Sequence, residues 1–249
     1  IIQKTACLAG PRRPMVAVAR MVDSTNTQFR RIWGNTSFQS WTVFGADIQS
    51  AGRGQRGRNW YSPANGNLYF TVGLPDVARS NFPLVPLLMG LGFVQAFPME
   101  KVYLKWPNDI LDAEGRKLGG ILMESFNFEN RIRIIVGIGV NLAENLSFLD
   151  GRNLPGALGH GSWLQSRNVA FGRIIGGLAQ IWEKWQEWGF LPLIQGWQNS
   201  AYGIGRKVAV TTEEGIWRGV FIGVDQAGRL LIATRREHLA FHSGDLSFF

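Results

Sequence analysis

Residues 52–60 read GRGQRGRNW and combine three glycines with three arginines, without a carboxylate among them. Glycine lets a backbone adopt positive φ angles and approach a ligand closely. The guanidinium groups of Arg53, Arg56 and Arg58 are planar and always charged, and they match the oxygens of carboxylates and phosphates. The segment therefore predicts an anion-binding loop, which we expect to order and close over its ligand. The alternative is a solvated basic loop or an arginine-glycine tail that binds nucleic acid.

Two further segments carry charges that could act with this loop. The first, KWPNDI at 105–110, contains Lys105 and Asp109, and the second, GRKLGGILME at 115–124, places Lys117 before a double glycine. Taken singly, Lys105 and Asp109 could form a surface ion pair of little energetic weight, and Lys117 could be an ordinary turn lysine. The three segments together, in this order, favour a common site.

One reaction that such a site could perform is the joining of a carboxylate to the α-phosphorus of a nucleoside triphosphate. Two anions must approach each other and pyrophosphate must leave, so cations have to be aimed at the growing charge in advance. The loop arginines could hold the carboxylate and phosphates while Lys117 reaches the reacting centre, each charge-assisted contact contributing about 1.5–3 kcal/mol. Magnesium would complete the neutralisation, but no acidic residue is diagnostic as its ligand. Asp109 could organise the metal or orient an incoming amine.

Composition and charge are those of a globular protein with anionic partners. The 249 residues, 45% apolar and 18% charged, are enough for one sizeable domain, or for a domain with a small appendage. No apolar run is long enough to predict a membrane span. A net charge of +8 favours nucleotides, nucleic acids, acidic proteins or membrane surfaces as partners. Residues 200–249 contain six basic and five acidic groups, so about +7 of this charge lies in the first 199 residues, which include the three segments.

Cysteine and histidine usage gives no sign of a metal centre. A single cysteine, Cys7, rules out an internal disulfide framework and a cysteine-only metal site. His238 and His242 are four residues apart, but their segment is strand-like, so they would not share a helical face. We expect structural or surface roles for the histidines and a reducing, cytoplasmic setting.

The elements around the loop are predicted as strands and one helix. The apolar run 15–22 predicts a first strand, and Asp23, Ser24 and Asn26 could cap a helix that runs to about Trp33. From their spacing alone, Ser24, Thr25 and Asn26 are interpreted as capping residues. Further strands are predicted over 41–48, which leads into the loop, and over 67–74.

A buried helix and an antiparallel meander are predicted next. The helix covers 82–97, and the strands cover 101–106, 109–112, 117–126 and 131–142. In the last strand, apolar and polar residues alternate, which predicts a sheet with one buried side. Gly137 and Gly139 leave the other side bare, so a ligand could lie flat there, with a bulge or close helix packing as equal alternatives.

The remainder divides into a loop-rich part, two helices and short β segments. Residues 143–168 are predicted to be loop-rich, 169–188 form a helix whose aromatic stripe belongs to the core, and 192–199 form a short helix. The short strands are predicted over 207–211, 216–224, 230–234 and 239–241, and they suit a small barrel of SH3 size. We therefore predict a catalytic domain over 1–200 and a C-terminal domain over 201–249.

Six motifs carry a specific family resemblance. They are STN at 24–26, QSAGRGQRGRNWYSP at 49–63, NLYF at 67–70, KWPND at 105–109, RKLGGILME at 116–124 and GIGVNL at 137–142. Together they resemble the successive signatures of bacterial biotin protein ligases. The resemblance covers nearly the whole chain, including the small β domain at its end.

This resemblance implies an α+β fold and an ATP-dependent activity. The fold would be related to class II aminoacyl-tRNA synthetases, with a mixed, largely antiparallel sheet packed by helices and an SH3-like C-terminal domain. The family makes biotinyl-5′-AMP from biotin and MgATP and passes biotin to one lysine of a carboxyl carrier domain. The implied partner is the carrier domain of acetyl-CoA carboxylase, and a homodimer is possible.

The resemblance also implies roles for individual residues. Residues implied to bind biotin are Ser24, Thr25, Asn26, Gln49, Gly52, Arg53, Gly54, Gln55, Lys117 and Gly120. Residues implied to bind ATP or the adenylate are Arg53, Arg56, Arg58, Trp60, Asn108, Lys117 and Asn141. Catalysis is assigned to Lys117, Arg53 and Asp109, with Lys117 contacting the biotin carboxylate and stabilising the transferring phosphoryl group.

The chain departs from the family pattern in two respects. Gln55 stands where many relatives have a second arginine, so adenylate retention would depend more on Arg53 and Arg56. Some members carry an N-terminal helix-turn-helix and repress transcription, but only about fifteen residues precede the first predicted strand here. We therefore expect a ligase without repressor activity or a DNA partner, unless a further segment precedes this sequence.

Two other functions are considered. A lipoate or octanoyl ligase or transferase would share the fold, but the pairing of GRGQRGR with KWPND argues against it. A single-stranded nucleic-acid-binding protein would suit the charge, the ten tryptophans and the barrel-like tail. In that class, aromatic residues should alternate with cations on exposed strands, whereas most tryptophans here fall on apolar helical faces.

Overall fold

The computed structural model describes residues 14–34, 41–64, 67–98, 100–128, 131–142 and 167–249, together with the backbone of 2–7. The strands are β1 (Ile2–Cys7), β2 (Met15–Val22), β3 (Thr42–Gln49), β4 (Leu68–Gly73), β5 (Tyr103–Lys105), β6 (Asp109–Leu111), β7 (Lys117–Phe128), β8 (Arg131–Val140), β9 (Lys207–Thr212), β10 (Gly215–Val224), β11 (Leu230–Ala233), β12 (His238–Phe241) and β13 (Asp245–Phe248). The α-helices are α1 (Thr25–Trp33), α2 (Leu84–Ala96), α3 (Arg167–Trp188) and α4 (Leu191–Ser200). The chain divides into two compact units. The first comprises Ile1–Arg79 and Lys117–Phe171, and the second comprises Ser80–Arg116 and Gly172–Phe249.

In the first unit, six of the described strands form a mixed sheet in the order β1-β2-β3-β4-β8-β7. The pair β2 and β3 is parallel, and the other neighbouring pairs are antiparallel. A parallel pair needs a crossover connection, which α1 supplies between the two strands. This crossover brings the first turn of α1 and the last residue of β3 to the same end of the sheet.

Helix α1 covers one face of this sheet through an apolar stripe. Phe29 is fully buried and packs with Ala17, Phe44 and Ile135, and the ring of Trp33 packs against Phe29 at a tilt, with ring centroids 5.0 Å apart. Residues three and four apart lie on the same side of a helix, which places this stripe on the sheet. The opposite face is covered where α3 begins.

The sheet is buried on both faces at β8, so the prediction of a single buried side is wrong. Ile135 is fully buried and Arg133 is 6% exposed on the face that was expected to be open. Helix α1 covers this face, because its Phe29 packs on Ile135. On the other face, Phe171 packs edge-on against Phe70 at 5.2 Å. Strand alternation alone does not reveal a helix that packs on the polar-looking side.

Most predicted elements are confirmed, with ends that differ by a few residues. Strand β2 has the predicted bounds, whereas the strand predicted over 101–106 is confined to Tyr103–Lys105. Two strands were not predicted, because β1 lacks a clear apolar alternation and the alternation in β13 covers only four residues. Helix α3 begins at Arg167, inside the stretch predicted to be loop-rich, and the rest of that stretch lies outside the described residues.

The second unit contains the β5–β6 hairpin, three helical segments and a separate sheet. Lys105 and Asp109 are directly opposite in the hairpin, on either side of the turn 106–108. Helices α2 and α3 meet backbone to backbone, because a Cβ on Gly92 would lie 2.7 Å from the Cα of Leu178. The five C-terminal strands form an antiparallel sheet in the order β12-β11-β10-β9-β13.

The tryptophans of the second unit belong largely to its core. Trp106, Trp182, Trp185 and Trp197 are each less than 9% exposed. The Trp106 indole nitrogen donates a hydrogen bond to the carbonyl of Gly228. Bases stack on exposed aromatic rings, so these side chains do not provide the platform that a single-stranded nucleic-acid binder needs.

The burial of Tyr69 in β4 makes the free energy of unfolding depend on pH in the alkaline range. Burial raises the pKa of Tyr69 to about 12, against an unfolded value near 10, and its hydroxyl donates to the carbonyl of Pro63. The folded state therefore holds the proton more tightly, and this contribution to stability is complete below pH 10 and is lost as pH rises towards 12. We expect the free energy of unfolding to fall by about 2 kcal/mol more in the wild type than in Tyr69→Phe over this interval. Denaturant titrations of both proteins at several pH values in this interval would measure the difference. The same change of unfolding free energy with pH in both proteins would refute the assignment.

Candidate active site

The first turn of α1 is tied to the end of β3 by Gln49. Its side-chain oxygen accepts hydrogen bonds from the backbone nitrogen of Thr25, at 2.8 Å, and from the Thr25 hydroxyl, at 3.1 Å. Ser24 occupies the N-cap position with extended backbone angles, but its side chain makes no capping hydrogen bond. The predicted helix start is confirmed, since Ser24 is the N-cap residue by position. The interpretation of these side chains as capping groups is wrong, because Ser24 makes no capping hydrogen bond and Thr25 bonds to Gln49 of β3.

Asn26 projects from α1 onto the sheet, where it contacts the three adjacent strands β4, β8 and β7. It is 2% exposed, and its oxygen accepts a hydrogen bond of 2.6 Å from the hydroxyl of Thr71, which is fully buried. Its amide nitrogen donates to the carboxylate of Glu124 at 2.7 Å and lies 3.4 Å from the carbonyl oxygen of Leu122. A side chain at Gly137 would displace Asn26, because a Cβ there would be 2.5 Å from its oxygen. Close packing of the helix thus explains the bare backbone at Gly137.

The glycine-arginine loop forms a narrow turn closed by backbone hydrogen bonds. Gly54 donates to the carbonyl of Arg58 at 2.7 Å, and Trp60 donates to that of Gly52 at 2.9 Å. At the exposed tip, Arg56 has a φ of 54° and Gly57 a φ of 72°. Only one of the three glycines therefore uses a positive φ, while an arginine adopts a conformation that is uncommon for side-chain-bearing residues. The closing of this loop over a ligand stays a prediction.

Gly52 is required because the chain crosses itself closely at this point. A Cβ there would lie 2.3 Å from the carbonyl oxygen of Trp60 and 2.7 Å from the hydroxyl of Ser62. The Ser62 hydroxyl accepts a hydrogen bond of 2.8 Å from the side-chain nitrogen of Gln49 and lies 3.1 Å from the Trp60 carbonyl. Gln49 therefore joins the start of α1 to the base of the loop.

The Trp60 indole covers the glycine strip of the sheet. A Cβ on Gly139 would lie 2.5 Å from its ring, and one on Gly120 would lie 3.1 Å from it. The indole nitrogen is buried and has no hydrogen-bond partner among the described residues, since it faces bare backbone. Lys117 places its ammonium group 5.3 Å from the centre of the indole ring, within the range of a cation–π contact. The strip at Gly139 is thus occupied by an aromatic side chain of the chain itself.

Asn141 fixes the strand end from which Lys117 projects. Its side-chain nitrogen donates to the carbonyl of Lys117 at 3.0 Å, and its backbone nitrogen donates to that of Leu118 at 2.8 Å. Arg53 extends from the loop to the same face of the sheet, where its guanidinium lies 3.1 Å from the Glu124 carboxylate. The loop, α1 and the β7–β8 pair thus place cationic and amide groups on one polar surface.

The close contact at Gly139 gives a prediction about stability. We expect Gly139→Ala to destabilise the protein by about 1–3 kcal/mol, because the added methyl group must push Trp60 off the sheet. Gly176→Ala is the matched control, since Gly176 is exposed in α3 with open space around it, and alanine there should stabilise by up to about 1 kcal/mol. Chemical denaturation measures both changes. Equal stabilities for the two variants would contradict the described contact.

Comparison with known proteins decides the family. The model of the Biotin/lipoate A/B protein ligase family matches residues 18–141, and that of the Biotin protein ligase C terminal domain matches residues 203–248. The biotin–[acetyl-CoA-carboxylase] ligase of Paracoccus denitrificans is 31% identical over 223 residues, which cover 84% of this chain and 90% of that protein. The chain belongs to the biotin protein ligase family. The bifunctional ligase/repressor BirA of Bacillus spizizenii is 30% identical, over 91% of this chain and 71% of its own length.

A solved biotin protein ligase shares the same fold. The enzyme from Aquifex aeolicus, in complex with biotin and ATP, superposes with a TM-score of 0.79 at 27% identity, over 94% of this chain and 98% of its own. The predicted α+β class is confirmed at the level of a large mixed sheet with helices and a C-terminal antiparallel sheet. Among the described residues, no helix combines the length and apolarity needed to cross a bilayer.

Most residues that the family resemblance implicates lie together in the first unit. Hydrogen bonds or short contacts link members of α1, the loop, β3 and β7; these members are Thr25, Asn26, Gln49, Gly52, Arg53, Trp60, Lys117, Gly120 and Asn141. Ser24 is buried beside them, and Gln55, Arg56 and Arg58 lie at the loop tip. Asn108 and Asp109 belong to the turn and first position of β6 in the second unit, and their roles stay predictions.

The sequence analysis missed three polar residues that hold this site together, Glu124, Ser62 and Thr71. Glu124 was within reach of prediction, because side chains alternate along a strand and Glu124 is four residues from Gly120, hence on the same face. Ser62 and Thr71 carry no comparable signal. Their partners come from distant segments, so their role depends on strand pairing that no local pattern reveals.

Proposed function

We infer that the protein is a biotin protein ligase, which activates biotin with MgATP to biotinyl-5′-AMP and transfers the biotinyl group to a lysine of a biotin carboxyl carrier domain. The observation that carries this inference is the match to the biotin-specific C-terminal model together with a polar surface built from the family's own motifs. The fold is also that of a ligase solved with biotin and ATP. The other functions considered lack such a combination.

The chemistry of the first step explains the cations. The carboxylate of biotin attacks the α-phosphorus of ATP, and the bond to pyrophosphate breaks, so negative charge accumulates around one phosphorus. In this proposal, Lys117 contacts the carboxylate and the transferring phosphoryl group, and Arg53 holds the carboxylate and the adenylate phosphate. Fixed cations lower the barrier because they need no reorganisation while charge develops.

The biotin head group would be held by the polar residues at the start of α1. The ureido ring of biotin offers one carbonyl and two N–H groups, which require both donors and acceptors. Thr25, Asn26 and Gln49 supply these groups, and Ser24 is buried beside them. Hydrogen bonds to Gln49 of β3 and Thr71 of β4 fix the orientations of Thr25 and Asn26 before biotin binds, which lowers the entropic cost of binding.

The nucleotide would lie between the loop and the start of β7. Trp60 offers an aromatic wall beside the ammonium group of Lys117, and Arg56 and Arg58 offer charge at the loop tip. Asn141 maintains the position of the strand end, and we propose contacts from Asn108 to the nucleotide. Gly52, Gly54, Gln55 and Gly120 would line the path between the two substrates.

Magnesium would enter mainly with the nucleotide. No group of three or more acidic, histidine or cysteine side chains that could hold a metal occurs among the described residues. Mg²⁺ commonly binds through one or two carboxylates plus phosphate oxygens and waters, so this arrangement is compatible with a metal carried by ATP. When bound, it would neutralise phosphate charge, and its protein ligands are not assigned.

In the second step the lysine amine of the carrier attacks the acyl carbon and AMP leaves. We propose that Asp109 orients this amine, which must be uncharged to act as a nucleophile. The carrier would be that of acetyl-CoA carboxylase, as the name of the Paracoccus relative suggests. The proposal also includes a fold related to class II aminoacyl-tRNA synthetases and an SH3-like C-terminal domain, with the domain boundary near residue 200. It further includes a homodimer and a cytoplasmic setting.

Biotin-dependent exchange of pyrophosphate into ATP tests the activation step. We expect labelled pyrophosphate to enter ATP with biotin and MgATP present, and lipoate or octanoate to support far slower exchange. A protein that exchanges with lipoate and not with biotin would belong to the lipoate branch of the fold. Salt-dependent binding to an oligonucleotide, without exchange, would favour the nucleic-acid alternative.

A further inference from the structure

The Glu124 carboxylate lies where the interior of the sheet meets the loop. One of its oxygens accepts a hydrogen bond of 2.7 Å from the amide of Asn26 and one of 3.1 Å from the guanidinium of Arg53. Its side chain is 23% exposed, whereas that of Arg53 is 44% exposed. A single oxygen thus connects a buried amide to an exposed cation of the glycine-arginine loop.

The buried end of this connection is fixed. Asn26 receives a hydrogen bond from Thr71, which is fully buried, and it rests directly on the backbone at Gly137. An amide held at both its oxygen and its nitrogen cannot rotate without breaking a hydrogen bond in the core, which is costly. The position of the Glu124 carboxylate is therefore set by the sheet rather than by the loop.

The exposed end is a long side chain on a loop. A free arginine side chain loses considerable conformational freedom when it binds an anion. A surface ion pair contributes little by itself, but here one partner is already immobilised, which reduces the entropic cost of holding Arg53. A guanidinium carries five N–H donors, so a contact with Glu124 leaves donors for a second anion.

We propose that Glu124 is a positioning residue that holds Arg53 against the sheet before biotinyl-5′-AMP forms, and so limits the escape of this intermediate. The proposal rests on the proposed function. It adds a residue that contacts neither reacting atom but acts through the arginine. A different arrangement, in which Glu124 competes with the substrate anions for Arg53, predicts the opposite change when the carboxylate is removed.

Glu124→Gln is the suitable variant, because glutamine has the same shape and its amide oxygen still accepts from Asn26, but the negative charge is absent. Escaping adenylate acylates lysines of an unrelated protein, so the readout is biotin incorporated into serum albumin in the presence of biotin and MgATP. We expect this bystander labelling to rise about threefold to tenfold, while the rate of biotin-dependent pyrophosphate exchange stays within about twofold, as expected for loss of one partly exposed charge pair. Glu187→Gln, an exposed change on α3, is the matched control and should alter neither quantity.

The effect of Glu124→Gln in a protein that already lacks Arg53 separates a positioning role from a structural role. In Arg53→Gly, the additional change Glu124→Gln should cause no further rise, since two residues that act through one contact are not additive. Independent, multiplicative increases would overturn the proposal, as would reduced labelling in Glu124→Gln or a tenfold loss of exchange. Glu124→Asp keeps the charge but shortens the side chain, so bystander labelling should rise less than in Glu124→Gln. This variant replaces Glu124→Gln in the test if the glutamine protein does not fold. Absence of exchange in the wild type would instead refute the proposed function.

Discussion

Replacement of Lys117 by alanine is expected to slow formation of the adenylate by about 10²–10³-fold. Lys117 lies at the start of β7 with its ammonium group 5.3 Å from the Trp60 ring, and its backbone carbonyl accepts a hydrogen bond from Asn141. The position of the charge is thus fixed by the indole and the strand end before any substrate binds. A preorganised cation of this kind stabilises the transition state more than the ground state, so the rate should fall more than the affinity for biotin.

Single-turnover measurement of pyrophosphate release gives the rate of this step, and calorimetric titration gives the affinity for biotin. Lys207→Ala is the control, because Lys207 is an exposed lysine of β9 with no proposed role. Unfolding curves of both variants would show whether the cation–π contact with Trp60 matters for folding, where we expect a loss of about 1 kcal/mol or less. A Lys117→Ala protein that forms adenylate at the wild-type rate would remove Lys117 from the mechanism.

Replacement of Arg53 by glycine is expected to release the adenylate about 10-fold to 100-fold faster and to cause labelling of bystander lysines. One charge-assisted contact to the phosphate is worth about 1.5–3 kcal/mol, and each 1.4 kcal/mol corresponds to a factor of ten. Gln55 in this loop is uncharged, so retention of the adenylate would depend mainly on Arg53 and Arg56. The loop backbone should be retained, because its turn is closed by hydrogen bonds between main-chain groups at Gly52, Gly54, Arg58 and Trp60.

The measurement for Arg53→Gly is the amount of biotin attached to an unrelated protein after a fixed time, together with the rate of adenylate release from a preformed complex. Arg79→Gly, at an exposed position outside the loop, is the matched control. Labelling equal to that of the control would show that Arg53 does not retain the intermediate. A parallel loss of adenylate formation would agree with the proposed contact of Arg53 to the biotin carboxylate in the first step.

Local sequence patterns predicted most elements of the fold but not which face of the sheet is covered. The alternation in β8 indicated one buried side because Arg133 and the two glycines read as exposed. In the structure, Arg133 donates a hydrogen bond to Asp76 and lies buried, and Phe29 of α1 packs on the neighbouring Ile135. A helix can cover such a strand where glycine leaves room, which alternation alone cannot distinguish from open solvent.

The candidate site was predictable in its residues but not in its connections. The glycine-arginine loop and Lys117 suggested anion chemistry from residue type alone, and the family resemblance added the polar residues of α1. The contact of Asn26 with Glu124 joins residues 98 positions apart and depends on the pairing of β4, β8 and β7. The bare strip at Gly139 was recognised, but its occupant, Trp60, arrives from a different segment.

The central claim is that these residues join biotin to AMP and pass the biotinyl group to a carrier. The most direct test is to incubate the protein with biotin, MgATP and an apo biotin carboxyl carrier domain, and to measure the mass of the carrier. The account predicts a gain equal to one biotinyl group, confined to one lysine and dependent on both small molecules. A carrier whose mass is unchanged, with a folded protein and a carrier that another biotin ligase can modify, would contradict it.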